Sequence, residues 1–403
     1  MAPNFILSNN PFQMRTIIFL MMIMCCFSCE KEEQFGINFY DCDEQSKSKN
    51  HPDNERFQEL IEEIASSGVP GIMMTIRNSN GVWSGAAGKA DLANNVDLLP
   101  CNITRVGSTV KTFTAVTIML LHVEGKLDLD DQIIEYLPAS YLEGLENADK
   151  ATVRQLLQHS SGIYNYIVNL QFQTASLNDL TKTWKKEELL AYARGQKALF
   201  APGTDVQYSN TNYILLGDII EQVTGKKYYE VFAEKIFVPY ELYATDCAAE
   251  NPVPEGIVRG YVDFYSNLNV INSTYYSGWD YFTADGGLIS NSADLNTFLN
   301  ALFHGNILSQ NSLKEMTNWV APKNQDEEEY ETFYGLGIFK INTVFGPAYI
   351  HSGDAIGYFA SMVYFPERDV TISWAVNGNY GSIDEFASSK TAMDRIFQSV
   401  FED

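Results

Sequence analysis

Histidine and cysteine are scarce in this 403-residue chain, and neither is spaced to hold a metal. The five histidines, at 51, 122, 159, 304 and 351, form no H-x-x-x-H or H-E-x-x-H pattern, which excludes a zinc-protease helix. Cys42, Cys101 and Cys247 stand far apart and make no paired metal-ligand spacing. Cation is short too: 27 Lys and Arg face 51 Asp and Glu, a net charge of −24. Nucleic acid, which needs a basic surface, is therefore excluded as a partner. No glycine-rich phosphate loop and no G-x-S-x-G elbow occur, so nucleotide chemistry and a Ser-His-Asp hydrolase of the elbow type have no support. No metal or cofactor is implied. The longest N-terminal apolar run, Ile17 to Phe27, is well short of the ~20 residues a spanning helix needs.

What is present is a folded, secreted kind of chain. Hydrophobic residues make 45% and aromatics 13%, the composition of a domain with a real core. Arg15, the apolar run, Ser28 and Cys29 make an export signal over residues 1–29, with Met14 as an alternative start. Cys29 before Glu30-Lys-Glu-Glu33 resembles a lipidation site, with simple cleavage as the alternative. The expected location is the cell envelope, with a lipid anchor in the outer membrane as the only membrane contact, or secretion. Residues 30–54 are polar and read as a tether. A disulfide between Cys42 and Cys101 stays open in an oxidising compartment, beside the reading of isolated thiols.

The catalytic unit is expected over 55–403. Phe57, Leu60, Ile61 and Ile64 line one face of a helix over Glu55–Ser67. Gly71–Arg77 and Val82–Gly88 read as a hairpin across Asn78-Ser-Asn-Gly81. A strongly apolar helix opens at Ser108 and stops at Gly125. Helical pattern continues through Val153–Gln158, Leu189–Ala193 and Asn212–Thr224, and periodicity fades over about 240–280. Strands return at Phe333–Lys340, Ala348–His351, Tyr358–Phe365 and Val370–Val376, followed by one helix over Ile383–Phe401. The pattern predicts an α+β fold: one antiparallel sheet built from both ends of the chain, about 55–125 and 280–403, with a helical insertion over about 126–279.

Three short motifs carry chemistry. In Ser108-Thr-Val-Lys111, a helix puts residues i and i+3 on one face, so the lysine amine reaches the serine hydroxyl. Apolar neighbours desolvate that lysine and ease loss of its proton, and the helix N-terminus favours negative charge on the attacked oxygen. A second copy, Ser46-Lys-Ser-Lys49, lies in the tether, where nothing desolvates it. Tyr208-Ser-Asn210 follows Pro202-Gly203 and precedes a helix; a phenolate beside an ammonium is a competent base, and Asn210 can hold a substrate amide. Its double, Tyr265-Ser-Asn267, sits in alternating sequence and reads as packing. His351-Ser352-Gly353 is the only H-x-G, and no K-x-G occurs. The glycine admits substrate to a strand edge, beside a cationic or hydrogen-bonding histidine.

In this order the motifs resemble the family that joins class C β-lactamases, D-alanyl-D-alanine carboxypeptidases and related esterases. Val106–Ala115, Leu156-Leu-Gln-His-Ser-Ser-Gly162, Pro202–Gly217 and Gly286-Gly-Leu-Ile-Ser290 extend the resemblance over about 55–400. His159 falls in a stretch that is structural in that family. The resemblance implies a β-lactamase-like fold and an acyl-enzyme on Ser108, with Lys111 and Tyr208 moving protons. Asn210, His351, Ser352, Gly353 and Asp354 would bind substrate, and the N–H groups of Ser108 and Asp354 would form the oxyanion hole. The substrate reading is a small molecule or peptide such as a peptidoglycan fragment, with carboxypeptidase, esterase, amidase and β-lactamase activity as alternatives. Asp354 would repel a terminal carboxylate. A non-catalytic penicillin-binding surface lipoprotein is the rival from another class.

Cells expressing the full chain and fed an alkyne fatty acid should yield a tagged protein. Cys29→Ala should abolish the tag, and a tag retained on that variant refutes lipidation at this cysteine.

Overall fold

The computed structural model of the protein describes residues 48–248, 256–276, 283–326 and 329–402. The export segment, Cys29, Cys42 and the Ser46 end of the tether motif lie outside the described residues. Cys101 is disulfide-bonded, and Cys247 is a buried free thiol.

The fold is built on an eight-stranded antiparallel sheet. Its strands are β1 (Gly71–Asn78), β2 (Gly81–Asp91), β3 (Val96–Asp97), β4 (Thr332–Tyr334), β5 (Phe339–Thr343), β6 (Gly346–Ala355), β7 (Tyr358–Phe365) and β8 (Val370–Val376). Their order is β3-β2-β1-β8-β7-β6-β5-β4. The two ends of the chain meet at β1 and β8, with Met73 opposite Ala375 and Thr75 opposite Ser373. Five helices brace the sheet or carry site residues: α1 (Asn54–Ser66), α2 (Val110–Val123), α3 (Asn210–Thr224), α4 (Ser292–Phe303) and α5 (Lys390–Phe401).

Period-two alternation decides what each face meets. Ile72, Met74 and Ile76 of β1, with Ile372, Trp374 and Val376 of β8, form one face. They share a core with Phe57, Leu60, Ile61 and Ile64 of α1 and Ile396, Phe397 and Val400 of α5. The opposite face is small and polar, and α4 docks on it through hydrogen bonds. Ser373 donates to the Ser292 carbonyl at 2.6 Å, and Asn296 donates to the carbonyls of Thr75 and Thr371 at 3.2 and 3.0 Å. Burial without such partners would cost roughly 1–3 kcal/mol per group.

Several boundaries differ from the sequence reading. The expected strand Phe333–Lys340 is two strands, because the chain turns where the Gly335 N–H meets the Ile338 carbonyl at 2.9 Å. The expected final helix is likewise two, Ser382–Ala387 and α5; Ser389 caps the second by accepting from the Ala392 N–H. Ser108 does not open the α-helix but lies in a 3₁₀ turn, Gly107–Thr109, that leads into α2. Tyr265 is exposed rather than packed, because Asp263 accepts from the N–H groups of Asn267 and Leu268 and turns the chain outward there. The aperiodic stretch carries the short strands Tyr261–Val262 and Ile271–Asn272, and in a small sheet the first pairs with both the second and Gly378–Asn379.

Trp374 is fully buried, and its indole N–H donates to the Ala387 carbonyl at 3.0 Å. Trp374→Ala should lower stability by about 3–5 kcal/mol, read as a lower midpoint in urea; a midpoint unchanged would show that this face does not anchor the sheet.

Candidate active site

Three segments far apart in sequence converge at one edge of the sheet: the turn entering α2, the start of α3, and β6. Gly107 has φ +51°, a left-handed conformation suited to glycine. A Cβ there would stand 2.4 Å from the Asp354 carbonyl oxygen, and one on Gly353 would stand 2.4 Å from the Ser108 nitrogen. Two missing side chains thus let the serine turn lie directly against the strand edge.

Lys111 is fully buried beneath that turn. Its Nζ donates to Ser108 Oγ at 2.8 Å and to the Asp285 main-chain carbonyl at 2.5 Å. The same Nζ lies 5.0 Å from the centre of the Tyr208 ring and 5.6 Å from that of Tyr213. Tyr208, half-buried, packs on the His159 imidazole with centroids 4.4 Å apart. His159 Nδ1 accepts from the Ser209 N–H at 3.0 Å, so this residue steadies the Tyr208 loop, in keeping with a structural part. Asn210 begins α3 and is held by Asn165, whose Oδ1 accepts from its N–H at 3.1 Å and its side-chain nitrogen at 3.4 Å.

His351 sits on β6, buried, with Nδ1 2.8 Å from the Ser352 carbonyl. A carbonyl only accepts, so Nδ1 carries the proton and Nε2 is an acceptor. Burial, then the Lys111 charge, push the imidazole down to about 3. The cationic role weighed from sequence is thereby corrected: this histidine is neutral at physiological pH. His159 is pushed well down as well, by burial first and then by Lys111 and His351. Ser352 Oγ pairs with Ser361 Oγ at 2.9 Å. Asp354 remains accessible from the cleft although protein walls it on other sides; desolvation, then Asp384, push its carboxyl up to about 6.

Ser108, Tyr208, Asn210, His351, Ser352 and Asp354 line one cleft of about 500 Å³. All the sequence-derived site residues from Ser108 to Asp354 therefore fall together. Sequence reasoning missed Asp285, Tyr166 and Asn165. Asp285 is fully buried, and its Oδ2 accepts from the Tyr166 hydroxyl at 3.0 Å. Burial raises this carboxyl above its ordinary range, while Lys111 pulls the other way. A lone charge ahead of Gly286-Gly287 in an apolar stretch was the available signal; Asn165 and Tyr166 offered none.

An amine in contact with a serine hydroxyl, beside a phenol and against a strand edge, is an arrangement built for acyl transfer. The profile of the Beta-lactamase family matches residues 56–391, and the chain belongs to that family. It is a serine hydrolase of the β-lactamase fold, related to penicillin-binding proteins and D-amino acid amidases. It is 26% identical over 347 residues to a penicillin-binding protein of Bacillus subtilis (strain 168), covering 82% of this chain and 73% of that one. A D-stereospecific amidohydrolase from Streptomyces sp. is similar in structure, with TM-score 0.73 and 32% identity over 84% of this chain and all of that one. The D-amino acid amidase of Ochrobactrum anthropi SV3 gives TM-score 0.75 and 25% identity over 86% of this chain and 98% of the other. The chain spans under two thirds of the length of several further curated relatives.

Gly353→Ala should cut acylation by a fluorophosphonate at least about 100-fold, as a displacement near 1 Å at the reacting atoms would, with the fold intact by circular dichroism. Labelling at the wild-type rate would show that the close approach is dispensable.

Proposed function

We propose that the protein is an amidase or esterase of the cell envelope working through an acyl-enzyme on Ser108. The 2.8 Å contact between Lys111 Nζ and Ser108 Oγ carries this reading. Ser108 Oγ adds to the substrate carbonyl while its proton passes to Lys111 and Tyr208. The same pair returns the proton to the leaving nitrogen or oxygen as its bond to the acyl carbon breaks. Water then attacks the ester, its proton taking the same route back to Ser108. The N–H groups of Ser108 and Asp354 serve as oxyanion hole, a role supported by the abutting backbones of Gly107–Ser108 and Gly353–Asp354.

The lining of the cleft favours amide or ester over a peptide bearing a free C-terminus. Its charged lining residues among those described are Glu329 and Asp354, with no Lys or Arg. A carboxypeptidase must hold a carboxylate, and two acids oppose one. The solved amidase and amidohydrolase relatives support the same choice. The similarity to a penicillin-binding protein favours a D-alanyl-D-alanine carboxypeptidase as the second reading, for which the Ser352 hydroxyl is the available donor. The completeness of the nucleophile, its amine and its phenol opposes a purely binding role. Envelope placement through Cys29 belongs to this proposal and rests on the N-terminal sequence.

Turnover of a D-amino acid amide, a p-nitrophenyl ester and a D-Ala-D-Ala peptide, run side by side, tests the reading. Amide or ester turnover should exceed peptide turnover, and Ser108→Ala should abolish all three along with covalent labelling. Undiminished labelling of Ser108→Ala overturns the nucleophile, and preferred cleavage of the peptide overturns the amidase choice.

A further inference from the structure

We propose that Asp285 is a positioning residue for acyl transfer: its main-chain carbonyl and its Tyr166-held carboxyl together fix the place and the charge of the Lys111 amine. The inference rests on the Ser108 acyl-enzyme reading and adds a member that none of the three motifs contains.

A lysine with no exposed surface must meet its hydrogen-bonding needs inside the protein, because a buried ammonium stripped of water and left without partners is strongly disfavoured. Lys111 meets them partly at Ser108 Oγ and partly at the Asp285 carbonyl. That carbonyl is as close to the amine as the nucleophile is, so the placement of residue 285 dictates where the amine sits. The Asp285 side chain is itself fully buried. It is held by the Tyr166 hydroxyl at 3.0 Å and by the Thr283 side chain. A carboxyl in such a place is a poor device for stability, since a neutral side chain of like shape would avoid the desolvation. Its charge is felt at Lys111, which draws it toward the ionised form against the effect of burial.

The other titratable groups facing the amine do not supply that counter-charge. His351 from β6 and His159 from the loop after Val153–Leu157 are held neutral, and Tyr213 from α3 is pushed toward its neutral form by burial. Tyr208 is the proton-shuttling phenol itself. Among the described residues, the acid that acts on the amine is Asp285. The residues that hold the site from behind are also consecutive: Asn165 fixes Asn210, and Tyr166 fixes Asp285. The Tyr166 main-chain N–H in turn donates to Thr211 Oγ1 at 3.1 Å, tying that turn to α3. One short turn thus aligns the substrate-facing amide and the partner of the catalytic amine.

The test is the pH dependence of kcat/KM for a p-nitrophenyl ester in the full chain, with Asp285→Asn and Tyr166→Phe. The acid limb reports proton loss from the base. Removing the negative charge beside Lys111 makes its proton easier to lose, so Asp285→Asn should move this limb to lower pH by about 1 unit or more. Tyr166→Phe leaves the carboxyl but removes a donor to its ionised form, and should move the limb the same way by less. A general loss of rate with the limb unmoved in both variants is what a merely structural role gives, and overturns the proposal. If Asp285→Asn fails to fold by near-ultraviolet circular dichroism, the Tyr166→Phe limb decides alone. A wild type that a fluorophosphonate fails to label at Ser108 removes the acyl-enzyme reading and this inference together; a labelled wild type with unmoved limbs removes this inference only.

Discussion

A lysine sealed under a serine is the constraint around which this structure is arranged. Lys111 has no access to solvent, so protein atoms must do what water would have done. The serine hydroxyl and the Asp285 carbonyl take that part, and two tyrosine rings close over the amine at 5.0 and 5.6 Å. The contacts come from three stretches of chain: the Ser108 turn, residue 285, and 208–213. Precise placement of the amine therefore depends on the whole tertiary fold, and local helix geometry supplies only its nearness to Ser108.

The sheet provides the rigidity. β6 carries His351 to Asp354, paired there with β7 while β5 reaches only Gly346–Ile350 and leaves the edge at Gly353 open; α2, almost wholly buried, follows the Ser108 turn and stacks Phe113 on Phe298 of α4 at 3.7 Å. With α4 hydrogen-bonded to the polar face of β1 and β8, the helix bearing Lys111 and the open edge of β6 share one frame. They meet at the site backbone on backbone, at Gly107 and Gly353. Side chains there would hold the two apart.

Much of this was legible in sequence because the signals were periodic or local. Tyr358–Phe365, an apolar aromatic-rich run, and Val370–Val376, which alternates, are strands with those bounds, and the hairpin across Asn78–Gly81 formed as its turn residues dictate. The i, i+3 spacing of Ser108 and Lys111 survived even though the turn is 3₁₀, since both geometries bring those residues together. The break inside Phe333–Lys340 was hidden because hydrogen bonds to distant main chain hold it, from Leu336 to Met316 and from Gly337 to Leu157, whereas the one inside Ile383–Phe401 turns on a single local cap at Ser389. Asp285 and Tyr166 were hidden for a related reason. Their importance comes from meeting each other and Lys111 across the fold, and no spacing rule connects residues 111, 166 and 285. The neutral state of His351 was likewise unreadable, since it comes from burial and a nearby cation.

The pairing of β1 with β8 has a consequence in time. Met73 waits for Ala375, so the centre of the sheet cannot close until the chain has been made through β8. Such non-local topology folds slowly. It also means that β6 has no finished scaffold beside the serine turn while synthesis is under way. A sheet whose middle is closed by β8 brings the Ser108 turn and the β6 edge into one frame only after β8 has been made.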